Sequence, residues 1–99
     1  MSDNTEQKHI LTRDEAINAL RISSSNECPN LELLLLAVDD SVKTETGHDW
    51  AQDDPIDPTA KLAASLFLIS LFSGTDLPVM YGQTIIKLDA KEKEMTGSG

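Results

Sequence analysis

The sequence is poor in several residue types that particular protein classes depend on. Of its 99 residues, four are aromatic, one is cysteine and eight are lysine or arginine. A single cysteine, Cys28, excludes an internal disulfide and is typical of a reducing compartment. Because aromatic residues are scarce, the core must be built from leucine, isoleucine, valine and alanine, which favours packed helices over a sandwich of strands.

Patterns of secretion and membrane insertion are also missing. The first residues, MSDNTEQKH, do not show the basic-then-apolar order of a signal peptide. The longest apolar stretch, residues 62–72, is interrupted by Ser65 and Ser70 and is much shorter than the roughly 20 residues that a bilayer requires. We therefore expect no association with a membrane.

Positive charge is scarce where negative charge is dense. Seventeen acidic residues outnumber the eight basic ones, for a formal net charge of −9, and residues 27–57 contain nine acids but only one base, Lys43. Binding to nucleic-acid phosphates requires clustered lysine and arginine. The sequence thus predicts a protein that does not bind DNA. It also predicts an acidic surface, formed by Asp39, Asp40, Asp49, Asp53 and Asp54.

The sequence does contain the capping signals and the apolar spacing that are typical of α-helices. We expect an all-α fold, a small bundle of three to four helices with a short C-terminal element, and helices near residues 12–22, 29–46 and 59–73. Thr12 and Glu15 fit a capping box, Asp57 an N-cap, and Gly47 and Gly74 helix stops. The predicted core comprises Leu20, Leu31, Leu34, Leu35, Val38, Val42, Ala63, Phe67 and Leu71.

Two apolar strips lie off this core. At 100° per residue, Leu33 and Leu36 point away from the buried face of the second helix. The third helix is apolar almost all round, with Leu62, Leu66 and Ile69 on its second side. Isolated exposed leucines are ordinary, whereas a continuous strip indicates contact with another subunit. The predicted subunit interface consists of Leu33, Leu36, Leu62, Leu66 and Ile69.

The ends of the chain are predicted to lie outside the bundle. We expect residues 1–10 to be disordered, residues 11–90 to form the single helical domain, and residues 91–99 to form a charged tail. Within the domain, Ile85, Ile86 and Leu88 fit either a short helix or a strand. The final residues, TGSG, are of the kind that cloning leaves behind.

Chemistry of an active site is weakly indicated. Cys28 with His9 or His48 could supply a nucleophile and a base, but no motif supports that arrangement, and a lone cysteine is more often a small buried apolar residue. Asp49, Asp53, Asp54 and Asp57 lack the spacing of a calcium loop. We expect no enzymatic activity, no cofactor and no metal.

The order of the segments resembles a known family. The motif Leu11-Thr12-x-x-Glu15-x-x-x-x-Leu20-Arg21-Ile22 precedes a leucine-rich helix ending in Thr46-Gly47. An apolar helix then begins at a proline, and Leu77-Pro78 precedes Ile85-Ile86-x-Leu88. Over residues 11–90 this order is similar to that of the head–tail connectors of tailed phages and prophages, also described as DNA-packaging proteins. Lys87-Leu88-Asp89-Ala90 stands where that family has Gln-Leu-Arg-Gly, and His48 stands where many relatives have a basic residue.

The resemblance implies a structural protein that does not catalyse a reaction. Such a subunit forms a homo-oligomeric ring beneath the portal protein, extends the DNA channel towards the tail completion proteins, and is found in the virion or, before assembly, in the host cytoplasm. DNA passes through such a ring without specific binding. A small acidic regulator, such as a DNA mimic that inhibits a nucleic-acid-binding protein, is the alternative interpretation of the same acidic residues.

Overall fold

The computed structural model describes residues 9–53 and 55–95, which form four α-helices. These are α1 (Arg13–Leu20), α2 (Leu31–Thr46), α3 (Pro58–Ser73) and α4 (Val79–Met95), with 3-10 turns at Ser25–Glu27 and Trp50–Gln52. The described ranges contain no strand. The prediction of an all-α bundle is confirmed, and its three predicted helices are observed within two residues of their expected bounds.

Local capping explains where α1 begins and ends. The Thr12 hydroxyl accepts a hydrogen bond from the Glu15 amide at 3.1 Å, and the Glu15 carboxylate accepts one from the Thr12 amide at 2.9 Å. This is the predicted capping box. Arg21 then adopts a left-handed conformation, with φ of 60°, and its amide closes the last turn on Asn18. The helix therefore stops before Ile22.

The two long central helices end on glycine. Gly47 and Gly74 have φ values of 79° and 73°, a conformation that glycine adopts without a steric penalty. At the start of α3, the Asp57 carboxylate accepts a hydrogen bond from the Thr59 amide at 2.7 Å, and Pro58 occupies the first helical position. The N-cap and C-cap signals of the sequence thus act as predicted.

Helix α3 lies at the centre of the bundle and packs against α1, α2 and α4. Its buried face is made mainly of small residues: Ala60, Ala63 and Ala64 are fully buried together with Leu68. Alanines let neighbouring helices approach closely, since they add little side-chain volume. From α2 the core receives Leu31, Leu35, Val38 and Val42, as predicted.

The prediction that Leu71 belongs to the core is wrong. Its side chain is 39% exposed, and every residue from 71 to 80 is exposed, so the last turn of α3 is not covered by the neighbouring helices. Leu68, which the sequence did not single out, is fully buried instead. Leu20, Leu34 and Phe67 are half-buried and pack against the core.

The C-terminal element is longer than predicted. Helix α4 has 17 residues and runs through Met95, so the domain boundary placed at Ala90 is five residues too early. Tyr81, Thr84, Ile85 and Leu88 are buried at helical spacing, which settles the choice between helix and strand for residues 83–90. The segment that follows Ala90, Lys91-Glu92-Lys93-Glu94, consists of good helix formers, and Lys91 pairs with Asp57 at 2.9 Å.

The N-terminal boundary also differs. Ile10, which was placed in the disordered segment, is 1% exposed and belongs to the core. Its amide donates to Asp39, and its carbonyl accepts a hydrogen bond from the Lys61 ammonium group. These bonds fasten the chain before α1 to both α2 and α3. The rest of the predicted N-terminal segment, residues 1–8, and the TGSG end lie outside the described residues.

Candidate protein-interaction surfaces

The outward side of α2 carries an exposed apolar pair. Leu33 is 66% exposed and Leu36 is 38% exposed, whereas Leu35 and Val38 on the same helix are 1% exposed. Asp40 follows Leu36 by one turn and is also exposed. We call Leu33, Leu36 and Asp40 the α2 strip. The structure places both leucines on the side of α2 that faces away from the bundle.

A second apolar surface lies on α3. Leu62 is 44% exposed and Ile69 is 40% exposed, and we call this pair the α3 strip. Leu66, one turn from each along the helix, is half-buried and packs against the core. Of the three residues proposed for this side of α3, Leu66 therefore has the least surface to offer a partner.

A third apolar surface, on α4, was missed by sequence reasoning. Val79 is 79% exposed, Met80 is 52% exposed and Ile86 is 70% exposed. Lys87 follows Ile86 and is exposed as well. We call Val79, Met80, Ile86 and Lys87 the α4 strip. Val79 and Ile86 are seven residues apart, which places them on one face if the segment is helical, but the sequence left helix and strand both open for this segment.

The acidic surface is less continuous than its sequence suggests. Asp39 is largely buried, with a side chain 16% exposed, and is bonded to His9. Asp53 pairs with His48 at 2.9 Å, and Asp54 lies outside the described residues. Asp40 and Asp49 remain together at the rim of a shallow pocket of about 190 Å³, which is lined by Leu36, Asp39, Asp40, Lys43, Asp49, Ala51 and Gln52.

The two histidines are engaged with carboxylates and not with Cys28. His9 contacts Asp39 at 2.6 Å and Glu32 at 3.0 Å. Burial opposes protonation of the imidazole, but hydrogen bonds and charges from the two carboxylates outweigh it and raise the pKa of His9. Cys28 is buried, and its thiol lies 3.6 Å from the Asn30 side-chain oxygen. The suggested pairing of a thiol with a histidine base is therefore not assembled.

The segment between α2 and α3, residues 48–53 and 55–57, is here called the acidic loop. It is built around a buried tryptophan that the sequence analysis did not assign to the core. Trp50 is 1% exposed, and its indole N–H donates to the Thr46 hydroxyl at 2.8 Å. The same hydroxyl donates to the Val42 carbonyl, and the His48 ring packs edge-on against Trp50. These contacts hold the loop against the end of α2, so that Asp49 and Ala51 lie beside Leu36 and Asp40.

Within residues 9–53 and 55–95, no cluster of three or more histidine, cysteine, aspartate or glutamate side chains has the geometry to hold a metal ion. In the same part of the chain, no helix combines the length and apolar content needed to cross a membrane. Comparison of the chain with protein-family models, with curated proteins and with solved structures finds no match. The described surface is distinguished by exposed apolar residues: the three strips and, around the turn between α3 and α4, Leu71, Phe72 and Leu77.

Proposed function

We propose that the chain is a structural head–tail connector subunit of a tailed phage or prophage. In this proposal, identical copies form a ring that docks beneath the portal and extends the DNA channel towards the tail completion proteins. Support comes from the motif order in residues 11–90 and from the exposed apolar strips. The protein acts by contacting other protein chains.

The observation that carries the proposal is the presence of exposed apolar strips on different helices. The α2 strip and the α3 strip each lie on the side of their helix that faces away from the buried residues. The α4 strip adds exposed apolar residues on a third helix, so each copy of the chain offers apolar surface on more than one helix. A ring formed by head-to-tail contacts requires two different patches on each subunit, and exposed apolar patches mark sites where proteins associate.

The charge distribution suits passage of DNA. A formal charge of −9 repels phosphates, and a channel through which DNA slides must not hold them. The alternative, a DNA mimic, is less well supported. A mimic needs a continuous row of free carboxylates, whereas Asp39 and Asp53 are each bonded to a histidine.

The test combines a folding assay with assembly assays. Leu33→Lys combined with Leu36→Lys should leave helical content and thermal stability nearly unchanged, because both side chains are exposed. The same variant should lose ring formation in sedimentation and docking onto portal-bearing capsids. Leu35→Ala, a core change on the same helix, serves as the matched control and should lower thermal stability.

Two outcomes would contradict the proposed interface. Unfolding of the double variant would assign the leucines to the monomer core. Normal docking by a folded double variant would show that Leu33 and Leu36 are surface residues that take no part in the interface. If the unmodified protein neither assembles nor docks, and instead binds a nucleic-acid-binding protein as a monomer or dimer, the regulator interpretation replaces the connector.

A further inference from the structure

We infer that the α2 strip of one copy packs against the α4 strip of the next copy, with Lys87 meeting Asp40. This inference rests on the proposed function, since it requires copies of the chain to associate. It assigns the counterpart of Leu33 and Leu36 to a surface outside the originally predicted interface. The partner it names is a second copy of this chain.

Charge complementarity points to this pairing. Lys87 is the single charged residue between positions 79 and 88, so the α4 strip is an apolar surface with one positive charge beside it. Lys87 forms no ion pair within residues 9–53 and 55–95, and the same is true of Asp40. The α2 strip is correspondingly an apolar surface with one negative charge at its end.

The surroundings of Asp40 strengthen the match. Asp40 and Asp49 line the shallow pocket beside Leu36 together with Lys43. A lysine arriving with an apolar helix face would therefore meet two carboxylates and one ammonium group, which leaves a net negative charge to attract it. A lysine can also place its aliphatic stem against an apolar neighbour while its ammonium group reaches the acids. Leu36 offers such a neighbour.

Spacing along the two helices agrees as well. Asp40 follows Leu33 by seven residues, and Lys87 follows Met80 by seven residues. Seven residues correspond to about 10.5 Å of helix axis and to nearly two full turns, so both members of each pair share one helix face. A parallel arrangement that sets Met80 against Leu33 therefore also sets Lys87 against Asp40. The Asp40–Lys87 contact would fix alignment and partner choice more than affinity.

A charge swap tests the pairing. Asp40→Lys and Lys87→Asp should each weaken self-association in sedimentation by about tenfold, because each places like charges opposite one another. The combined variant should return to within about threefold of the unmodified protein, since the pair is restored in reverse. Glu94→Lys makes the same charge change as Asp40→Lys at another exposed position and should not weaken association. If association occurs only on portal-bearing capsids, the number of docked copies is measured instead.

Cross-linking tests geometry independently. In a Cys28→Ala background, chains carrying Leu33→Cys are mixed with chains carrying Met80→Cys under mild oxidation. A disulfide requires the two Cβ atoms to lie about 4 Å apart, so a heterodimer should form readily. Leu62→Cys, at a position of similar exposure on the α3 strip, replaces Met80→Cys as the control and should give little product.

The outcomes separate this inference from the proposed function. If the unmodified protein assembles but the single charge variants assemble equally well, or the Leu62→Cys control cross-links as well as Met80→Cys, the pairing is wrong and the connector proposal stands. If the unmodified protein neither self-associates nor docks on capsids, the connector proposal fails and the pairing fails with it. If the combined charge variant restores self-association, the result supports both the pairing of the two strips and the connector proposal.

Discussion

The Nδ1 atom of His9 lies 2.6 Å from the Oδ2 atom of Asp39, thirty residues further along the chain. The other oxygen of the Asp39 carboxylate accepts the Ile10 amide at 3.0 Å. One largely buried carboxylate on α2 therefore binds the N-terminal segment at two points. The pair ties the start of the described chain to the helix that bears the α2 strip.

This contact predicts that stability falls as pH rises from slightly acidic values. The pKa of His9 is raised above its ordinary value of 6.5, so the folded state holds the proton more tightly than the unfolded chain does. The stabilisation is fully present below about pH 6.5 and is lost as pH rises through the pKa of the folded state. Thermal melts across this range and an NMR titration of the imidazole provide the measurements.

The control for the pH dependence is His9→Gln, which should remove this part of the slope. Asp39→Asn should lower the pKa of His9, because it removes a negative partner. An imidazole that titrates at or below 6.5, or a pH slope that His9→Gln leaves intact, would show that the contact does not stabilise the folded state.

Leu35 and Leu33 form a matched pair on α2, one buried and one exposed. Leu35 is 1% exposed, and Leu35→Ala should lower the free energy of unfolding by about 2–5 kcal/mol, the range for a buried leucine truncation. Leu33→Ala should change it by less than about 0.5 kcal/mol, as is typical of surface sites. Urea unfolding measures both. Equal costs for the two variants would show that the helix faces are assigned wrongly.

Sequence patterns predicted the parts of the fold that depend on neighbouring residues. The Thr12–Glu15 capping box, the Asp57 cap and the glycine stops involve groups within a few positions of one another, so their side-chain chemistry is visible in the sequence. The buried face of α2 was also predictable, because its apolar residues recur at helical spacing with charged residues between them.

The remaining features depend on distant parts of the chain. Helix α3 is apolar almost all round, so periodicity could not show that Leu68 is buried while Leu71 is exposed. Ile10 is buried at a point where its backbone forms hydrogen bonds with Asp39 and Lys61, both of which are far away in sequence. The α4 strip could be recognised only once residues 83–90 were known to be helical. Asp39 and Asp53 were predicted to lie on the acidic surface, but both are bonded to histidines that the sequence spacing did not indicate.

The Thr46–Trp50 hydrogen bond predicts a large effect from a small substitution. Thr46→Val keeps the shape of the side chain but removes the acceptor of the buried indole N–H. An unsatisfied buried donor costs about 1–3 kcal/mol, so the free energy of unfolding should fall by that amount. Thr46→Ser keeps the hydroxyl and loses one methyl group, and it should cost about 1 kcal/mol or less. If Thr46→Val is as stable as the unmodified protein, the hydrogen bond does not anchor the acidic loop.

The charge distribution predicts no detectable binding to duplex DNA at moderate salt. Among residues 27–57, Lys43 is the single base beside nine acids, and it lies in the pocket with Asp40 and Asp49. Lys61 and Lys91 are already paired with carboxylates, so they offer phosphates little free positive charge.

Fluorescence anisotropy with a labelled duplex, repeated over a range of salt concentrations, measures the interaction. A control variant, Asp40→Lys combined with Asp49→Lys, places three lysines around the pocket and should bind measurably at low salt, with an affinity that falls steeply as salt is added. A micromolar dissociation constant for the unmodified protein would reveal a basic surface that the sequence does not predict, and it would contradict a channel through which DNA slides freely.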